Sequence, residues 1–116
     1  MAERGGIAKP AGSTELRRLR RRIDALDRRI VALLNERARL ARDAGREKVA
    51  IGSRAVRDAE REREILLRVS MTNEGPMPQA DLLALYRRLF QATRALEARD
   101  RAAARRPDRV DGDADP

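Results

Sequence analysis

The feature that most constrains this fold is an apolar series that repeats for about eight helical turns. Leu16, Leu19, Ile23, Leu26, Ile30 and Leu33 follow alternating steps of three and four, and Leu40 and Ala44 rejoin the series. That spacing is a heptad seam, one helix face made to meet another helix. It predicts a first helix from about Thr14, capped by Ser13 or Thr14, to about Ala50. Gly52 and Ser53 interrupt, and a second helix is expected from about Val56 to Ser70. Thr72 to Pro76 reads as a turn, and Pro78 suits the first turn of a third helix ending near Arg101. The expectation is an all-α chain of one long and two shorter helices. Residues 1–13 and 103–116, rich in small and polar residues, are expected to be a disordered arm and tail, leaving 14–102 as the domain.

Length then argues for a partner. At 1.5 Å per residue the first helix would be about 55 Å long. A compact globule of about 84 residues, the length of the helical region, has a diameter of only about 30 Å. The seam would be left bare in a single chain, so two chains must share a core, as an intertwined homodimeric helical bundle.

Composition narrows the chemistry. Charged residues make up 40% and aromatics 2%, against a sandwich or barrel rich in aromatic strands. Histidine and cysteine are absent, which excludes thiolate nucleophiles, histidine acid–base chemistry and metal sites built on sulfur or imidazole. No apolar run is long enough to span a membrane and residues 1–13 lack the apolar centre of a signal peptide, so a soluble cytoplasmic protein is the expectation. The net charge is +8, of which residues 14–97 carry +7, suited to an anionic partner. All the basic residues are arginine except Lys9 and Lys48, which makes a mid-chain lysine more informative than any one arginine.

Charges also stand where apolar residues belong. After Leu33 the next step of four lands on Arg37. The apolar face of the second helix, Ile65, Leu66 and Val69, projects back onto Asp58, Arg61 and Glu62. The stripe of the third, Leu82, Leu85, Tyr86, Leu89 and Phe90, continues to Thr93, Leu96 and Glu97. Any one of these alone is readily an exposed edge position. Their recurrence on three helices is better met by one polar pocket lined by Arg37, Lys48, Asp58, Arg61, Glu62, Thr93 and Glu97, because unpaired buried charge is costly. Arg37 and Lys48 share a helix face about 16 Å apart, close enough for long side chains to converge. Arg20 lies about 25 Å before Arg37 and is rotated by roughly 100°, so it cannot serve the same pocket from the same chain.

Five segments, in order and spacing, resemble the all-helical chorismate mutases over about residues 14–100. They are Leu19 to Asp27, Leu33-Leu34-Asn35-Glu36-Arg37, Gly45-Arg46-Glu47-Lys48, Val56 to Arg63, and Gly75-Pro76-Met77-Pro78 with the helix that follows to Glu97. The resemblance implies an intertwined three-helix homodimer that rearranges the dianion chorismate to prephenate without metal, cofactor or covalent intermediate, in phenylalanine and tyrosine synthesis. By position it implies that Arg37 and Arg61 clamp the substrate carboxylates, with Arg20 reaching in from the partner chain. Lys48 would bridge a carboxylate and the breaking ether oxygen, Asp58 and Glu62 would bind the ring hydroxyl, and Thr93 would lie near a carboxylate. Glu97 takes the place where the family has Gln or Glu donating to the ether oxygen. A second register of the third helix pairs Phe90 instead of Tyr86 with the family's aromatic and would remove Thr93 and Glu97 from the site. The segment from Lys48 to Arg57 is about one residue longer than in some members.

Two other functions stay open at this stage. The same scaffold could act on 4-amino-4-deoxychorismate or eliminate pyruvate from isochorismate, with Asp58 and Glu62 reading the ring substituent. A non-catalytic coiled coil could bind nucleic acid through arginines 17, 18, 20, 21, 22, 28 and 29. With Tyr86 and Phe90 as the only aromatics it has little to stack on bases, so no nucleic-acid partner is expected.

Overall fold

A computed structural model describes residues 13–53 and 55–106. Three helices follow in order: α1, Thr14–Ala50; α2, Ala59–Thr72; and α3, Gln79–Ala104. There are no strands among the described residues. No helix among them is long and apolar enough to cross a membrane. The N-terminal arm and most of the C-terminal tail expected from the sequence, residues 1–12 and 107–116, lie outside the described residues.

Each helix end has a local cause. Ser13 caps α1, its Oγ accepting from the Leu16 N–H at 3.0 Å. Helix α2 begins at Ala59 rather than near Val56, because Asp58 caps it: Asp58 Oδ1 accepts from the Arg61 N–H at 3.0 Å. Glu60 and Glu62 in its first turn favour the same start through the helix dipole. At the other end Asn73 closes α2. Its N–H donates to the Val69 carbonyl, while its side chain accepts from the Gly75 N–H and donates to the Met77 carbonyl and Gln79 Oε1. Pro78 is the residue before α3 rather than its first turn. That helix runs to Ala104, past Arg101, because Ala102, Ala103 and Ala104 are strong helix formers. The first two residues of the expected tail are therefore helical.

The chain divides into two units, one ending at Ala38 and the other beginning at Arg39. In the first, the helical seam is uncovered: Leu19, Ile23, Leu26, Ile30 and Leu33 are each 41–59% exposed. The second holds the end of α1 with α2 and α3. Here α2 and α3 pack as an antiparallel hairpin, with Gln79 Nε2 donating to the Ser70 carbonyl near the turn and Arg94 meeting Glu62 further along. Phe90 is the buried apolar side chain among the described residues, its ring edge-on to Tyr86 at 6.4 Å between centroids.

A two-pronged ion pair ties α1 to α3. Arg42 Nε and Nη2 donate to the two carboxylate oxygens of Asp100 at 2.9 and 3.0 Å. The hydrogen bond from Arg42 holds the Asp100 carboxyl below its ordinary value. A depressed carboxyl contributes stability above its unfolded pKa, about 3.9, and loses it as pH falls through the folded value. Asp100→Asn should therefore lower the melting temperature at pH 7, with the gap to the native chain closing as the pH is taken below about 4. Melting curves of both proteins at equal protomer concentration check this; a gap independent of pH would show that the pair contributes nothing.

Candidate functional site

Lys48 lies in the last turn of α1, and the stop that follows fixes that turn. Gly52 takes φ +88°, open to glycine at little cost. Its N–H donates to the Val49 carbonyl at 3.0 Å, and the Ser53 N–H donates to the Lys48 carbonyl at 2.8 Å. These paired bonds satisfy carbonyls a helix end would otherwise leave bare. From this turn Lys48 Nζ donates to Glu97 Oε1 of α3 at 3.1 Å. Glu97 is only 7% exposed, so its carboxylate depends on that partner.

The close approach is possible because Gly45, one turn before Lys48, has no side chain. A Cβ there would stand 3.3 Å from Cγ and Cδ of Glu97 and 3.4 Å from Oε1. Glu97 thus lies against bare helix backbone, with the Lys48 ammonium beside it. The pair presents a cation and a carboxyl to one small volume, an arrangement that can receive an anion and, with Glu97 protonated, donate a hydrogen bond.

A second cluster sits between α2 and α3. Arg94 Nη1 donates to Glu62 Oε2 at 2.5 Å, and Arg57 Nε stands 3.6 Å from Oε1. The Glu62 side chain is 15% exposed. A cavity of about 320 Å³ opens beside it, lined by Arg57, Glu62, Arg63, Arg87, Phe90 and Arg94 among others. Thr93 is half-buried on α3, one turn before Glu97.

The remaining residues singled out from sequence divide differently. Asp58 gives one carboxylate oxygen to the α2 cap, and the Arg61 guanidinium pairs with Glu64 at 3.0 Å along the exposed side of that helix. Arg20 is exposed and Arg37 half-buried, both on the part of α1 that ends at Ala38. The sequence reading missed Arg94 as a partner of Glu62 and Gly45 as a contact of Glu97. Gly45 carried a signal, a glycine inside a helical pattern that marks close approach. Arg94 carried none, being one of many arginines.

Comparison with known proteins follows the same outline. A family model described as chorismate mutase type II matches residues 19–98. A bifunctional chorismate mutase/prephenate dehydratase of Aquifex aeolicus is 38% identical over 93 residues, 77% of this chain and 25% of that protein. One of Stutzerimonas stutzeri, with the same description, is 37% identical over 87 residues, 72% of this chain and 24% of that protein. The chain spans about a quarter of the length of these curated relatives. A solved structure of chorismate mutase (form II) from Thermus thermophilus superposes with a TM-score of 0.70 at 34% identity, covering 73% of this chain and 96% of that one.

The Gly45–Glu97 contact makes a test of its own. Replacing a helical glycine by alanine ordinarily stabilises by about 1 kcal/mol. In the native chain Gly45→Ala should show little or none of that gain, because Glu97 must shift by a few tenths of an ångström. With Glu97→Ala in the same chain the full gain should return. Denaturant unfolding of the two single variants and the double variant checks this, and purely additive effects would refute the contact.

Proposed function

The chain belongs to the chorismate mutase type II family, and we propose on that basis that it converts chorismate to prephenate as a cytoplasmic homodimer serving aromatic amino acid synthesis. The observation that carries this reading is the Lys48–Glu97 pair, a buried carboxyl and an ammonium brought to 3.1 Å from two different helices. It favours the register of α3 in which Thr93 and Glu97 belong to the site.

The reaction is a Claisen rearrangement within one molecule. The ether C–O bond breaks while a C–C bond forms, and no group leaves. Bond breaking runs ahead, so negative charge gathers on the ether oxygen. Donors already aimed at that oxygen stabilise the transition state more than the ground state. Lys48 is one such donor and a protonated Glu97 the other. In the free site Lys48 is turned to Glu97; with substrate bound, its ammonium is shared with the ether oxygen and a carboxylate. Arg37 and Arg61 hold the carboxylates, Arg61 exchanging Glu64 for the ligand, and two-pronged guanidinium contacts fix the folded reactive shape. Asp58 keeps a second carboxylate oxygen beyond its cap for the ring hydroxyl, shared with Glu62.

The homodimer is supported by what one chain leaves undone. Among the described residues Phe90 alone is a buried apolar side chain, while a whole helix face of Leu and Ile is exposed. So little burial cannot offset the chain entropy of ordering three helices. A second copy presents the same face and can cover it, and Arg20 then reaches the partner's site.

Loss of chorismate absorbance, with prephenate identified as product, tests the function directly. Arg20→Ala and Arg37→Ala should each lower activity by about 10² or more with helicity intact. Mixed after subunit exchange, the two inactive proteins should recover about a quarter of native activity, since half the dimers carry one intact site of two. No recovery would remove Arg20 from the partner's site.

Glu97 has its own test. An amide in its place keeps a donor of the same reach. Glu97→Gln should retain activity, whereas Glu97→Ala should lower it by about 10² or more. An inactive Gln variant, or an Ala variant as active as the native chain, would mean that Glu97 is not the donor to the ether oxygen.

A further inference from the structure

The two oxygens of Glu62 each face a guanidinium. Arg94 reaches Oε2 at 2.5 Å, and Arg57 stands 3.6 Å from Oε1. The cavity alongside carries four arginines, 57, 63, 87 and 94, against this single carboxylate. The Glu62–Arg94 pair is sheltered, with side chains 15% and 26% exposed, so solvent screens it less than the surface pairs.

We infer that Arg94 is a specificity-determining residue, which acts through Glu62 to make the site select a ring hydroxyl over a ring amine. The inference rests on the mutase reading and on Glu62 as a reader of the ring substituent. An aliphatic amine is largely protonated at pH 7, and a bare carboxylate would draw such a cation strongly. Here the carboxylate's charge is already answered by Arg94, and the surrounding guanidiniums repel a further positive group. A neutral hydroxyl meets no such repulsion. Glu62 keeps lone pairs beyond those used by Arg94 and can accept the O–H proton. The ion pair also fixes the carboxylate's orientation, so that the acceptor oxygen is in place before the ligand arrives.

The same geometry separates Arg94 from a merely structural brace. A brace would affect both substrates alike, whereas a charge beside Glu62 changes their ratio. The residue also sits three positions before Glu97 on α3, so the stretch that carries the ether-oxygen donor carries the discriminating charge as well.

The experiment compares kcat/KM for chorismate and for 4-amino-4-deoxychorismate at pH 7, using the full chain. The native protein should prefer chorismate. Arg94→Gln, similar in length but uncharged, should move the ratio toward the amine by about tenfold or more, as removal of a close like charge predicts. Arg94→Lys, which keeps the charge, should restore most of the native ratio. Arg57→Gln should shift it in the same direction by less, and this decides the matter if Arg94→Gln fails to fold. A ratio unchanged within about twofold in the folded variants, or a native preference for the amine, overturns the inference. Native protein inactive on chorismate would instead sink the mutase reading itself, and the inference with it.

Discussion

A helix face of leucine and isoleucine that one chain cannot cover is the constraint on which this molecule depends. Leu19, Ile23, Leu26, Ile30 and Leu33 stand in water when the chain is considered singly. The hydrophobic effect scales with area removed from water, and here that area lies along the longest element. In the proposed homodimer the same face of a second copy would cover it and supply the missing core, and the seam joining the two copies would also carry Arg20 to the partner's site.

Within the second unit Phe90 and Tyr86 pack between the helices, and a few polar contacts add precision. Arg42 and Asp100 fix α3 along α1 through a two-pronged bond, while Gly45 lets the two helices approach. Glu97 fills the space left at Gly45 and meets Lys48. Between α2 and α3 Arg94 and Arg57 restrain Glu62. Charge therefore performs here the positioning that shape performs in an apolar core. Such pairs are directional and tolerate few exchanges of residue type.

Much of this was legible in the sequence. Periodicity exposed α1, and turn chemistry at Thr72 to Pro78 separated α2 from α3. Arg37 and Glu97 stood out because a charge on an apolar stripe demands a reason. Helix α2 starts at Ala59 and not at the expected Val56, because the capping oxygen of Asp58 fixes its first turn. Long-range pairs escaped for another reason. With arginine so abundant, nothing local marks Arg94 as the partner of Glu62, or Arg42 as the partner of Asp100. Those pairings exist only once α3 has folded back beside the other helices.

Two helix ends border the connector between α1 and α2. The end of α1 is closed by Gly52 and Ser53 folding back on Val49 and Lys48, and the start of α2 by Asp58 reaching Arg61. Each closure uses only atoms within a few residues of its own end. Between them Arg101 donates to the Ser53 and Ala55 carbonyls and Arg57 stands beside Glu62, but neither contact sets the helical position of Lys48, so a residue gained or lost there would leave Lys48 where it is. Insertions in α1 between Gly45 and Lys48 have no such freedom: one added residue would rotate Lys48 by about 100° around its helix, away from Glu97. Length drift among descendants of such a chain is thus channelled into this connector.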